Sequence, residues 1–249
     1  MRRAKLDSVL VARGLVEDVE EARRLIGLDR VLVNGSVAAN ANRLIADADQ
    51  LLIVEPSRFV SRGGEKLEHA LRTWSIETTN MLAVDLGSST GGFTDCLLQR
   101  GCRAVIAVDV GEHLLHERLV ADERVTVMSG VNVKDVERLP AGVADIVVVD
   151  LSFISATAAI PAICKVMRDG AEVIVLVKPQ FEAQRAEADR FGGVIGDAAI
   201  RERTVREVVS AFSAEGFVEQ STMESPIHGQ KGNIEYLAWF HKGSTTPTD

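Results

Sequence analysis

The chain has 249 residues, enough for one large domain or for one small and one medium domain, and its 46% hydrophobic and 26% charged residues fit a soluble globular protein. The net charge of −8 excludes a uniformly basic surface, but residues 1–75 carry 12 Lys+Arg against 11 Asp+Glu while residues 76–249 carry 16 against 25, so a phosphate-bearing partner is expected at the first third. The longest apolar runs, Ile146–Val149 and Val173–Val177, are far shorter than the ~20 residues that span a bilayer, and the N-terminal arginines precede no apolar core, so a cytoplasmic protein with no membrane segment is expected.

In chain order, residues 1–28 predict two helices: Leu6, Val9, Leu10 and Leu15 form a stripe that Gly14 breaks, and Asp18 can cap a second helix carrying Ala22, Leu25 and Ile26. Short strands follow at Arg30–Val33 and Gln50–Val54, with Asn34-Gly35 as a tight turn. Residues 1–56 therefore read as a small α+β domain, 57–61 as a linker and 62–74 as a helix. From residue 81 the pattern alternates. Apolar strands are expected at Met81–Asp85, Ala104–Asp109, Val125–Met128, Asp145–Asp150 and Val173–Lys178, with helices near 91–99, 113–120, 154–168 and 198–215. Repeated strand–helix units imply a doubly wound parallel sheet, closed by late strands near 217–223 and 234–241. The second domain is expected over 62–243, with a disordered tail at 244–249. Cys96, Cys102 and Cys164 lack a metal-ligand spacing and are expected as reduced thiols, with no metal site.

Chemistry concentrates at strand ends. In VDLGSSTGGFTD a strand closes on Asp85, a turn with Gly87, Ser88, Gly91 and Gly92 follows, and a helix opens at Phe93. The glycines permit close approach to the backbone. The spacing is not G-x-G-x-x-G, and Asp85 would repel a pyrophosphate, which disfavours a dinucleotide oxidoreductase. It suits a cofactor with a cationic amino-acid end, such as S-adenosylmethionine. Asp109 ends the next strand, 24 residues after Asp85, where an acidic residue either binds ribose hydroxyls or caps a helix. Asn132 either contacts adenine or shapes a loop. Asp150 and Lys178 finish two apolar strands, and ligands of open α/β sheets bind at such carboxyl ends. Lys66, in SRGGEKL, either reaches this site or is solvated, and Glu235, interrupting the apolar run of GNIEYL, either faces the site or the solvent.

SRGGEKL, DLGSSTGGFTD, DLSFIS, LVKPQFE and GNIEYL occur in the order and spacing of the TlyA family of rRNA 2′-O-methyltransferases, also known as hemolysins, and the chain resembles that family over nearly its whole length. The resemblance implies an FtsJ-like class I methyltransferase domain behind a ribosomal-protein-S-four-type RNA-binding domain. It implies S-adenosylmethionine as cofactor, held by Asp85, Gly87, Ser88, Gly91, Gly92, Phe93, Asp109, Asn132 and Asp150. It also implies a catalytic tetrad of Lys66, Asp150, Lys178 and Glu235. The family's linker motif Arg-x-Trp-Val is represented by Ser57-Arg58-Phe59-Val60, with Phe where Trp is usual.

A ribose 2′-hydroxyl is a poor nucleophile at neutral pH and needs a base, or a field that stabilises its alkoxide, in line with the methyl donor. Lys178 is the candidate to contact and help deprotonate it, with Asp150 and Glu235 orienting the lysines. Because the donor is a sulfonium, no metal is required. Arg2, Arg3, Lys5, Arg23 and Arg24, placed in the N-terminal helices, and Arg62 are the candidates to bind RNA. The expected substrate is a cytidine of 23S rRNA, with 16S rRNA as a second target, presented as rRNA or as ribosomal subunits. The closeness of the chain's end to its last strand resembles family members that modify only the large-subunit rRNA. The alternative is a ribosome-associated RNA-binding protein with a secondary hemolysin-like activity.

Overall fold

A computed structural model describes residues 3–28, 30–38, 40–54, 58–190, 193–229 and 232–242. The chain divides into two compact units, Met1–Ser57 and Arg58–Asp249. Arg2, Ser57 and the expected tail 244–249 lie outside the described residues.

The first unit contains β1 (Ala4–Lys5), α1 (Leu6–Ala12), α2 (Val19–Gly27), β2 (Val31–Val33), β3 (Ser36–Val37), β4 (Leu44–Ile45) and β5 (Leu51–Ile53). Asp18 caps α2 by accepting from the Glu21 N–H at 2.8 Å. Asn34 and Gly35 both have positive φ, 52° and 79°, which turns the β2–β3 hairpin with the twist its strands need. Leu6 and Leu10 of α1 and Leu25 and Ile26 of α2 meet Val31, Val33 and Ile45 in one core. Each fully buried aliphatic side chain contributes about 1.5–3 kcal/mol. One expectation is corrected here. Arg3 and Lys5 are not helical: Arg3 precedes β1 and Lys5 lies in that two-residue strand paired with β4, because the Leu6 N–H donates to the Arg43 carbonyl and helix begins only at Leu6.

The second unit opens with α3 (Gly63–Thr73), β6 (Leu82–Leu86), α4 (Gly92–Gln99), β7 (Ala104–Asp109), α5 (Glu117–Val120), β8 (Val125–Ser129) and β9 (Ala144–Val149). It continues with α6 (Ile160–Val166), β10 (Met167–Val177), α7 (Pro179–Glu182), α8 (Arg185–Arg190), α9 (Ala198–Ala214), β11 (Phe217–Glu224) and β12 (Tyr236–Lys242). Residues 58–61, read from sequence as linker, are built into this unit: Phe59 is buried and the Val60 N–H donates to Asp95 at 2.8 Å. The helix expected over 113–120 shrinks to its last turn, since His113 takes φ 55° and the His116 imidazole accepts from the Arg118 N–H.

The seven strands run in the order β11-β12-β10-β9-β6-β7-β8. Pairs from β10 to β8 are parallel, and β12 runs antiparallel to both β10 and β11. Period-two alternation splits each central strand between two cores. Val147 and Val149 of β9 and Val173, Val175 and Val177 of β10 face α6 and α9. Ile146, Val148, Ile174 and Leu176 face the layer of α3 and α4. Strand order reverses between β6 and β9, the switch point outside which open sheets of this kind bind ligands.

Candidate active site

The register of β6 against β9 (Leu86 opposite Val149) brings the ends of both strands together, and the Asp150 N–H donates to the Leu86 carbonyl at 3.0 Å. Gly87 follows at φ 89°, where a β-carbon would stand 2.5 Å from the Asp150 carbonyl oxygen. Gly91, at φ 94°, caps α4, and a β-carbon on Gly92 would stand 2.8 Å from the Gly64 nitrogen. These glycines therefore serve the packing of the turn.

Asp85 lies at the centre of this turn with no exposed surface. Its Oδ2 accepts from the Thr94 N–H at 2.9 Å and the Thr94 hydroxyl at 2.7 Å, while its Oδ1 has no hydrogen-bond partner among the described residues. Burial, reinforced by the negative charges of Asp150 and Asp109, raises its pKa to about 7 against the opposing hydrogen bonds from Thr94. An unpartnered buried carboxylate oxygen at the switch point fits the cationic amino-acid end of S-adenosylmethionine.

Asp109 ends β7, accepting from the Ser89 N–H and the Gly111 N–H, both at 2.8 Å. It thus fixes the Gly-rich turn as well as the segment after its own strand. Ser88 is buried and its N–H donates to the Val108 carbonyl. Asn132 is exposed and caps a single 3-10 turn through Lys134 N–H, which gives it a loop-shaping role. Phe93 departs from the expectation. Its ring is buried between α3 and α4 among Leu67, Leu71 and Leu97, so it supports the turn from beneath.

The four tetrad residues form two ion pairs. Lys178 Nζ lies 2.6 Å from Asp150 Oδ1 and donates to Ser152 Oγ at 2.9 Å. Lys66, on α3, is paired with Glu235 just before β12, both nearly inaccessible to solvent. Val177 pairs with Tyr236 across β10 and β12, so the next step of that antiparallel register sets Lys178 opposite Glu235. β10 is flanked by β9 on one side and β12 on the other. Both pairs thus gather at one end of the sheet, beside the Asp85 turn. Lys66 is not solvated and Glu235 does not face the solvent; each is buried against the other.

Phe153 is 87% exposed at φ 68°, its ring 5.3 Å from that of Phe181, and Lys178 Nζ lies 5.9 Å from the Phe181 centroid. Phe153 thus holds an exposed aromatic face in left-handed backbone next to Phe181. Of the basic candidates, Arg62 is exposed at the start of α3. In the first unit Arg3 and Lys5 are exposed, Arg24 lies 3.8 Å from Glu21, and Arg23 donates to the buried Asp7 at 2.9 Å. Arg23 therefore spends much of its charge inside its own unit.

The family model of the FtsJ-like methyltransferase matches residues 59–242. Hemolysin A of Brachyspira hyodysenteriae is 39% identical over 95% of this chain and 99% of its own. The 16S/23S rRNA (cytidine-2′-O)-methyltransferase TlyA of Mycobacterium tuberculosis is 37% identical over 96% of this chain and 90% of its own. A solved Streptococcus thermophilus structure bearing the hemolysin name covers all of this chain and 93% of its own at 36% identity, with a TM-score of 0.76.

Proposed function

Because the chain belongs to the TlyA family and carries an FtsJ-like methyltransferase domain over residues 59–242, we propose that it methylates the ribose 2′-hydroxyl of a cytidine in rRNA, using S-adenosylmethionine. The observation that carries this reading is the Lys178–Asp150 pair at 2.6 Å, one strand away from the buried Asp85 turn. When bound, S-adenosylmethionine supplies an activated methyl group. Asp85 Oδ1 is the group to receive its amino-acid end, Asp109 its ribose, and the Gly87–Gly91 turn lets it approach the backbone.

The chain's own residues do the rest. Asp150 Oδ1 and Ser152 Oγ lie 2.6 and 2.9 Å from Lys178 Nζ and hold it in place, and in its neutral form the amine keeps a lone pair to accept a substrate proton. Lys178 holds the 2′-oxygen and takes its proton as the new O–C bond forms. Asp150 orients Nζ and balances the charge it then carries. Lys66 on α3 and Glu235, just before the neighbouring strand β12, form a buried pair beside them, and Phe153 offers a face to the target base.

The first unit is proposed to supply RNA affinity through Arg3, Lys5 and Arg24, and the expected substrate is 23S rRNA, free or in the ribosomal subunit, with 16S rRNA as a second target. The test is transfer of labelled methyl from S-adenosylmethionine to rRNA by the purified chain, with mass mapping of the product. A labelled 2′-O-methylcytidine supports the reading, and unlabelled rRNA in every presentation overturns it. The alternative, an RNA-binding protein with hemolysin-like activity, is not favoured: no helix among the described residues is long and apolar enough to cross a membrane, and the FtsJ-like methyltransferase match over residues 59–242 supports a transferase.

A further inference from the structure

Glu182 closes the Lys178-Pro179-Gln180-Phe181-Glu182 segment, yet it belongs to neither ion pair. Its carboxylate reaches back across the sheet's end to the loop after β9. One oxygen accepts from the Ser155 hydroxyl at 2.6 Å and the other from the Ala156 N–H at 2.7 Å. Ser155 in turn caps the 3-10 turn Ala156–Ala159 through the Thr157 N–H.

We propose that Glu182 is a positioning residue for methyl transfer: it clamps the loop that carries Asp150, Ser152 and Phe153 to the turn that carries Lys178 and Phe181. The inference rests on the methyltransferase reading of the site and deepens it. Lys178 and Glu182 bracket a single helical turn, α7, so fixing one end fixes the other. On the opposing loop, Ser152 lies three residues before Ser155, too short a stretch to move freely when its end is held. The Lys178–Ser152 contact at 2.9 Å and the Phe153–Phe181 contact at 5.3 Å both lie between the clamped points. A small displacement there separates the amine from its partners, and reaction geometry is lost steeply with misplacement. A half-buried carboxylate with no ion pair to a cation among the described residues is costly, and burial raises its pKa. An ordinary helix cap does not require that expense, since Ser155 already caps the turn.

The test compares Glu182→Ala with Glu182→Gln in the full chain. Gln keeps an acceptor for the Ala156 N–H and can donate to the Ser155 hydroxyl, so it preserves the clamp; Ala removes both arms. Glu182→Ala should lower kcat for rRNA at least about tenfold, with KM for rRNA and affinity for S-adenosylhomocysteine within about twofold, and Glu182→Gln should recover most of the rate. Without any ligand, amide hydrogen exchange over residues 150–153 should quicken in Glu182→Ala. Should that variant fail to fold, Ser155→Ala removes one arm and should give a smaller loss of kcat with the same pattern. Wild-type kcat in the Ala variant, equal losses in Ala and Gln, or exchange that quickens at Ala156 alone would overturn the proposal. A wild-type chain that methylates no rRNA would overturn the functional reading instead, and the exchange measurement would still decide the clamp.

Discussion

Gly87 and Asp150 meet backbone to backbone across the β6–β9 switch point, where a β-carbon on Gly87 would stand 2.5 Å from the Asp150 carbonyl oxygen. No flexible side-chain end is available there to move aside. Gly87 also sits at φ 89°, outside the range that L residues favour. Gly87→Ala should therefore cost about 2 kcal/mol or more, the sum of left-handed strain and displaced backbone, and it should spoil the turn that receives the cofactor. Gly27, at the end of α2, has open space at its β-carbon position and ordinary φ, so Gly27→Ala should be neutral or stabilise by up to about 1 kcal/mol. Thermal unfolding of both variants, with calorimetry of S-adenosylhomocysteine binding to the first, checks the contrast. Equal stability of the two would show that the turn can relax.

Asp85 predicts a pH dependence with a definite sign. Its pKa is raised from 3.8 to about 7, so what the neutral carboxyl contributes to stability is complete below about 3.8 and is lost as pH rises through about 7. Without ligand, Asp85→Asn should thus match or exceed wild-type stability at pH 8, with the margin narrowing toward pH 5. Binding runs the other way, because a cationic amino-acid end needs the carboxylate. Wild-type affinity for S-adenosylhomocysteine should fall as pH drops from 8 to 6, while Asp85→Asn should bind weakly at every pH. Calorimetry in two buffers of different ionisation enthalpy should reveal a proton released on binding near pH 6.5. A wild-type affinity that does not change with pH would remove Asp85 from the recognition of that end.

Much of this site was legible because its elements announce themselves locally. An apolar strand ending in Asp85 and running into glycines needs no long-range information, and neither does a Lys or Asp finishing a run such as Val173–Val177. The pairing was not legible. That Lys66 takes Glu235 and Lys178 takes Asp150 depends on β10 lying between β9 and β12, and strand order is not written in spacing. The packing of Phe93 was not legible, because an aromatic after two glycines reads the same whether its ring faces a ligand or packs under α3. Arg23 looked free because its partner Asp7 comes from the other helix of the first unit. The strands β1 and β4, two residues each, are too short to show any alternation.

Phe153 predicts a separation of stability from activity. A non-glycine residue at φ 68° is strained by about 1–2 kcal/mol, and Phe153 as a whole is 87% exposed, so little packing is at stake beyond the Phe181 contact. Phe153→Gly should leave the melting temperature near or above that of the wild type. Methylation of rRNA should nevertheless fall about tenfold or more, on the scale of one lost base–aromatic stack of ~1–3 kcal/mol. Cofactor affinity should hold. Undiminished methylation by this variant would show that the target base finds its support elsewhere.

The two ion pairs should respond differently when broken, because they differ in what is left behind. Glu235 is 4% exposed at its side chain, so Lys66→Ala would strand a buried carboxylate; breaking such a pair costs about 3–5 kcal/mol. Asp150 is 24% exposed and can be reached by water, so Lys178→Ala should keep the fold and bind S-adenosylhomocysteine nearly as the wild type does. Its effect should fall on chemistry: methyl transfer reduced about 100-fold or more, the usual scale for a positioned general base. Lys178→Arg should not restore the rate, since a guanidinium stays protonated and its planar head cannot replace a compact amine against Asp150 and Ser152. The Lys66 position calls for a paired replacement, because stability would otherwise mask function. Lys66→Met with Glu235→Gln removes both charges together and should recover most of the stability lost in Lys66→Ala, since replacing both partners of a buried pair is often close to neutral. If the buried pair serves only the fold, that double variant methylates rRNA at the wild-type rate. If it shapes the reaction, the rate stays low in a stable protein, and single-turnover kinetics beside a melting curve distinguishes these outcomes. Near wild-type transfer by Lys178→Ala would show that Lys178 is an ion-paired strand end and that another group takes the proton.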